Sequence, residues 1–143
     1  MSDEHIQAAF PGSFASLRLI SSFIREAAEK TGFDDCAVYA VETAVDEACS
    51  NIIEHAYESE DRGQIQCECC IKPDRLIITL KDQGKPFDPS AICEPNLEVP
   101  LEDRQDHGLG LFFMRQMMDE VHFDFVEGVG NVLTMVKMKE KKD

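Results

Sequence analysis

Long apolar runs, a charged leader and an excess of basic residues are all missing from this sequence. No apolar stretch approaches the roughly 20 residues that a membrane-spanning helix requires. The N-terminus, MSDEHIQAAF, has two acidic residues and no basic one, unlike a signal peptide. Lysine and arginine number 14 against 28 acidic residues, so the net charge is -14. Since the sequence shows neither a membrane span nor the pattern of a signal peptide, we expect a cytoplasmic protein. Because the negative charge repels phosphate backbones and anionic lipids, we expect no direct nucleic-acid or membrane contact.

Two familiar motifs are also absent. No G-x4-G-K-[ST] occurs, which excludes a P-loop. Cys67, Cys69 and Cys70 are clustered, but they lack the C-x2-C pairs of a zinc site and no histidine follows at a useful distance. We expect these cysteines to be reduced and to act as small apolar residues on a strand.

The 143 residues suit a single domain, which we assign to residues 1–143. Apolar periodicity predicts helices over about 13–30, 34–57 and 108–118, and strands over 5–10, 64–71, 76–81, 121–127 and 132–138. Residues 87–107 are rich in proline and charge, and a loop of this length is usually functional or mobile. The order of elements predicts an α+β fold: a two-layer α/β sandwich with a mixed or antiparallel sheet covered by helices on one face.

The second helix carries the first candidate site. Glu47, Asn51 and His55 are four residues apart, so they share a helix face beside the apolar stripe. A carboxylate there could accept a proton, and an amide oxygen could bind a hard cation such as magnesium. On these residues alone, a solvated polar face is the better explanation.

Two glycine motifs follow. Asp82-Gln83-Gly84 ends a predicted strand, where the carboxylate could accept a hydrogen bond from an exocyclic amine, and Gly84 permits a close approach. Gly108-Leu109-Gly110 opens a predicted helix, whose free N–H groups attract phosphate. Each motif is weak alone, since a turn and a flexible hinge explain them equally well.

The order and spacing of the three motifs resemble the N, G1 and G2 boxes of the GHKL ATPases (gyrase, heat-shock chaperone, histidine kinase and MutL types). More closely, the chain resembles the anti-sigma serine kinases of the RsbW/SpoIIAB family nearly end to end. The matching segments are AVDEACSNIIEHAY, DQGKPFDP and HGLGLFFMRQMMDEV.

The resemblance implies a role for each position. Glu47 would be the general base, Asn51 the magnesium ligand and Asp82 the acceptor for the adenine amine. Gly84 would lie beside the adenine, and residues 87–107 would form the ATP lid. The remaining nucleotide-binding residues would be Arg104, His107, Gly108, Leu109 and Gly110. Asp46 is also acidic, but a helix turns about 100° per residue, so only Glu47 is in line with Asn51.

Two positions depart from the family pattern. Relatives often carry an arginine close before the glycines, whereas here Arg104 stands four residues ahead of Gly108 and His107 is adjacent. Relatives also often have a threonine early in the last strand, near adenine. Here Val132 takes that place, with Thr134 two residues further on.

The resemblance further implies ATP and Mg²⁺ as cofactors, and transfer of the γ-phosphoryl group to a serine of a STAS-domain anti-anti-sigma protein. A sigma factor is a second possible partner, and a homodimer is expected. The alternative is a nucleotide-dependent sequestering module with little or no kinase activity. Glu47 favours the kinase, because binding alone needs no base.

Overall fold

Helices and strands occur in blocks along the chain. The computed structural model describes residues 3–60, 62–86 and 106–140, and within 106–110 it describes the backbone only. The helices in these ranges are α1 (Leu17–Thr31), α2 (Asp35–Asn51) and α3 (Asp106–Met117). The strands are β1 (Glu4–Pro11), β2 (Gln64–Ile71), β3 (Arg75–Asp82), β4 (Glu120–Val126) and β5 (Gly130–Met138). None of these helices has both the length and the apolarity needed to cross a membrane.

Local sequence explains where α1 and α2 meet. Gly32 has a φ of 92°, a left-handed conformation that ends α1, and its N–H donates to the carbonyl of Glu29 at 3.0 Å. Asp34 then caps α2, its carboxylate accepting a hydrogen bond from the N–H of Ala37 at 2.8 Å. The two helices therefore form a tight hairpin, which returns the chain to the end of the sheet that it left.

The five strands form one sheet in the order β1-β2-β3-β5-β4. All four pairings are antiparallel. The predicted α+β two-layer fold is confirmed, and of the two sheet types predicted, the mixed one was wrong for the described strands. The helical hairpin between β1 and β2 accounts for the first of these pairings, because it reverses the chain direction as a short turn would.

Alternation along β3 brings a carboxylate to the core. Leu76, Ile78 and Leu80 are buried beneath the helices, and the intervening side chains are only half-buried. Asp82 is next in the buried row, with 5% of its surface exposed. Strand register places Asn131 of β5 directly opposite Asp82. The sheet thus positions two polar side chains at the edge of an apolar core.

Candidate functional site

A pocket opens between α2, α3 and the ends of β3, β4 and β5. Most of its wall is apolar, and four polar side chains line it: Asn51, Asp82, Asp124 and Asn131. The apolar lining residues are Ala48, Ile52, Ala56, Met114, Phe123, Val132 and Leu133. A mostly apolar cleft with a few directed polar groups is the usual form of a small-molecule site.

Asp82 uses one carboxylate oxygen in hydrogen bonds within the protein and leaves the other available to a ligand. Its Oδ1 accepts hydrogen bonds from the N–H of Gly84 and from Nδ2 of Asn131, both at 2.9 Å. Its Oδ2 has no hydrogen-bond partner among the described residues. Burial raises the pKa of Asp82 above its ordinary value, and the two hydrogen bonds oppose that rise. The group is suited to accept one hydrogen bond from a ligand.

Asn131 is a site residue that the sequence reasoning missed. Relatives' threonine position was matched to Val132, but the side chain that faces Asp82 belongs to the preceding residue. Val132 does line the pocket, whereas Thr134 is absent from its wall. Asn131 is placed opposite Asp82 by the register between β3 and β5. The sequence does not predict the register of two strands that are separated by a long connection.

Tyr57 is a second residue whose role the sequence did not predict. Its hydroxyl donates to the carbonyl of Gln64 at 2.5 Å and accepts from the N–H of Gln83 at 3.0 Å. A Cβ at Gly63 would lie 2.6 Å from the tyrosine ring, so only glycine leaves room for it. Tyr57 therefore holds the Asp82-Gln83-Gly84 segment in place, and the tyrosine after the first motif was a signal for this role.

The predicted pair on α2 adjoins the pocket. Asn51 lines it, and Glu47 lies one helical turn earlier on the same helix. Neither side chain makes a hydrogen bond within the described part of the chain. Partial burial, then the negative charges of Asp46 and Glu54, raise the pKa of Glu47. An available carboxylate with a raised pKa is the property expected of a general base.

The second helix ends earlier than predicted. Regular α-helix stops at Asn51, and a π-helical turn covers Ile52–Ala56. The prediction of one helix to about Tyr57 was therefore wrong in detail, and the four-residue alignment extends through Asn51 but not regularly to His55. Such turns often occur at functional sites. Here it brings Ala56 against the loop that follows β3.

Gly84 is needed because of that contact. A Cβ on Gly84 would come within 2.5 Å of the backbone carbonyl of Ala56, and the N–H of Lys85 donates to the same carbonyl at 2.9 Å. The close approach predicted for this glycine is thus made by the end of the π turn. A contact between Gly84 and a nucleotide stays a prediction.

The third motif lies inside a helix. Helix α3 begins at Asp106, so Gly108 falls in its first turn and the predicted start at Gly108 was two residues late. N–H groups in a first turn have no intrahelical acceptors, which leaves them available to an anion. Nothing is described of the side chains of His107 and Leu109, and Arg104 lies outside the described residues, as does 87–105 of the predicted lid. Their roles, and that of Gly110, stay predictions.

Magnesium would depend on one protein oxygen here. No group of three or more His, Cys, Asp or Glu side chains able to hold a metal occurs in the parts of the chain that the structure describes. The amide of Asn51 lines the pocket and makes no hydrogen bond to a described residue, which fits the way Mg²⁺ binds beside phosphates, with few protein ligands.

Comparison with known proteins agrees with this geometry. Residues 10–137 match the histidine kinase-like ATPase domain. The chain belongs to the histidine kinase-like ATPase family. Membership implies ATP binding. Within the family it is RsbW-like: the serine-protein kinase RsbW of Bacillus cereus strain AH187 is 30% identical over 142 residues, covering 96% of this chain and 88% of that protein.

Two further relatives support the placement of this histidine kinase-like ATPase. RsbW of Bacillus licheniformis is 28% identical over 144 residues, covering 98% of this chain and 90% of the relative. The crystal structure of the RsbU and RsbW domains of a Mycobacterium tuberculosis protein matches with a TM-score of 0.66 at 15% identity. That match covers 94% of this chain and 32% of the other, and it supports the fold.

Two glycines in the β4–β5 turn provide a matched test of how Asp82 is held. Gly128 and Gly130 both have positive φ, 84° and 116°. A Cβ at Gly130 would lie 2.1 Å from the carbonyl oxygen of Asp82, whereas a Cβ at Gly128 would have no described atom within 4 Å. We expect Gly128→Ala to lower the free energy of unfolding by about 1–2 kcal/mol through backbone strain. Gly130→Ala should cost more than about 3 kcal/mol and weaken ATP binding. Urea unfolding would measure the free energy of unfolding of both variants. Equal losses would contradict the predicted contact between a side chain at residue 130 and the carbonyl of Asp82.

Proposed function

We propose that the protein is an ATP- and magnesium-dependent serine protein kinase of the anti-sigma type, which phosphorylates a STAS-domain antagonist and regulates a partner such as a sigma factor. The observation that carries this proposal is the Glu47 side chain. It has no hydrogen-bond partner in the described residues and a raised pKa, and it lies one turn from Asn51 at the pocket. A module that only binds nucleotide has no use for a carboxylate in that condition.

In this proposal each pocket residue has a separate role in binding the nucleotide. Oδ2 of Asp82 accepts a hydrogen bond from the adenine amine, because Oδ1 is already occupied. Asn51 offers its amide oxygen to the metal beside the phosphates. Magnesium, when bound, would neutralise phosphate charge, and the first turn of α3 adds N–H donors. Together they would offset the repulsion between the phosphates and a chain of net charge -14.

Glu47 supplies the remaining step. Its carboxylate orients the incoming serine hydroxyl and accepts its proton as the serine oxygen attacks the γ-phosphorus and the bond to the β-phosphate oxygen breaks. ADP leaves with the electron pair of that bond. In this proposal Arg104 and His107 approach the phosphates, and residues 87–107 cover the nucleotide.

One labelling experiment tests the proposal. The protein is incubated with ATP labelled at the γ-phosphate, Mg²⁺ and a STAS-domain protein encoded near it. We expect label on a serine of the STAS-domain protein, and no label when Mg²⁺ is removed with EDTA. If ATP binds but no candidate acceptor is labelled, while a sigma factor is still bound, the protein is a sequestering module. Sedimentation of the same samples would test the expected homodimer.

A further inference from the structure

The amide of Asn131 is held in one orientation by two acceptors. Its Nδ2 donates to Oδ1 of Asp82 at 2.9 Å and to the carbonyl oxygen of Lys85 at 2.8 Å. Asn131 is 8% exposed. Both partners accept and neither can donate, so the amide nitrogen must face them and cannot exchange places with the amide oxygen.

This arrangement decides what Asp82 offers to a ligand. A carboxylate that turns freely can present either oxygen, and a buried one can take up a proton and become a donor. Here the amide of Asn131 and the N–H of Gly84 both bind Oδ1, so the carboxylate is fixed in rotation and Oδ2 is turned away from them. The bond from Asn131 also lowers the pKa of Asp82, against the effect of burial, which favours the charged acceptor form.

The same amide also holds the segment that follows β3. β3 ends at Asp82, and Lys85 follows three residues later. The carbonyl of Lys85 accepts a hydrogen bond from the Asn131 amide, and its N–H donates to the carbonyl of Ala56. The segment is therefore pinned from β5 on one side and from the end of the π turn on the other. Loss of the amide would leave the Asp82 carboxylate with only the bond from Gly84, and the segment with only the bond to Ala56.

We propose that Asn131 is the positioning residue that makes the pocket selective for a 6-amino purine over a 6-oxo purine, by holding Asp82 with one charged acceptor oxygen toward the base. A 6-amino group donates to that oxygen, whereas a 6-oxo group would place two acceptors against each other. The inference rests on the proposed nucleotide function and adds to it the residue that positions Asp82 for the base.

The test compares the binding of fluorescent ATP and GTP analogues to the full chain and to three variants. Asn131→Ala removes the amide, and Asn131→Asp keeps its size while replacing the donor with an acceptor. Thr134→Ala, on the same strand but outside the pocket wall, is the matched control. We expect both Asn131 variants to lose about 10- to 100-fold in ATP affinity with little change for GTP. Thr134→Ala should keep the wild-type preference.

The ratio of the two affinities separates positioning from a general structural role. A variant that is merely less stable loses affinity for both nucleotides by the same factor, so its ratio does not change. If both Asn131 variants keep the wild-type ratio while the wild type clearly prefers ATP, the inference fails and the proposed function stands. If the wild type binds neither analogue, the proposed function fails and this inference with it.

Discussion

Glu47→Gln is expected to lower the rate of phosphoryl transfer by about 10²- to 10⁴-fold while ATP affinity changes by less than about threefold. The substitution keeps the size of the side chain and removes its ability to accept a proton. Glu47 is not part of the pocket wall, so the proposed adenine contact at Asp82 and the proposed metal ligand Asn51 should be unaffected. Single-turnover transfer from labelled ATP, with binding measured separately by calorimetry, distinguishes the two effects.

Asp46→Asn is the matched control for that variant. Asp46 is the neighbouring acidic residue, it is exposed, and it points about 100° away around the helix. It should retain most of the transfer rate. A comparable loss in both variants would show that negative charge on this part of α2 matters and that the proton acceptor lies elsewhere.

The pH dependence gives the base a second signature. A general base works only when deprotonated, so with Glu47 as the proposed base we expect transfer to be lost as pH falls through the pKa of Glu47. Burial, Asp46 and Glu54 raise that pKa, so the acidic limb of the rate profile should lie above the range of an ordinary glutamate. Because Asp46 contributes to the rise, Asp46→Asn should move the limb to lower pH. A limb that does not respond to Asp46→Asn would contradict the assignment.

Much of the fold was predictable because it depends on local pattern. Apolar periodicity predicted a strand over 76–81 and a helix beginning at 34, and the structure has β3 at Arg75–Asp82 and α2 beginning at Asp35. The sheet type was not predictable, since alternation along one strand does not specify the direction of its neighbours. The end of α2 was misjudged because helical periodicity does not distinguish an α turn from a π turn.

The residues of the candidate site also divide into those with a local sequence pattern and those that depend on tertiary contacts. Glu47 and Asn51 lie on one helix and Asp82 in one short motif, so a local pattern was enough to single each of them out. The structure places Asn51 and Asp82 on one pocket, and the roles of all three stay predictions. Asn131 and Tyr57 act across elements far apart in sequence, through strand register and through a loop contact. Such contacts depend on tertiary packing. The need for Gly84 was anticipated, but the group that approaches it is the backbone of Ala56.

Asp82→Asn should abolish most nucleotide binding without unfolding the protein. An asparagine there keeps an oxygen at the Oδ1 position, so the hydrogen bonds from Gly84 and Asn131 are retained. The amide nitrogen then replaces Oδ2 and sets a donor against the donor amine of adenine. We expect ATP affinity to fall by about 100-fold or more, because a site built for one hydrogen bond rejects its mismatch strongly.

Asp124→Asn is the matched control, since it removes the same charge from the same pocket. Asp124 is exposed, and water can satisfy its substitute. We expect less than about a threefold change in ATP affinity for this variant. Equal losses in the two variants, measured by calorimetry, would mean that pocket charge matters and that Asp82 does not accept the adenine amine.

Asp82→Asn should weaken ATP binding but leave the protein at least as stable as the wild type. The pKa of Asp82 in the folded protein lies above its ordinary value of 3.8. The folded state therefore holds that proton more tightly than the unfolded state, and stability is lost as pH rises from the ordinary value through the raised one. Asp82→Asn has no such loss. At pH 7 without nucleotide it should melt at or above the wild-type temperature, and the difference should shrink below pH 3.8. If Asp82→Asn melts clearly below the wild type at pH 7, the carboxylate stabilises the fold. That result would contradict the expectation that Asp82 lowers stability and is kept for nucleotide binding.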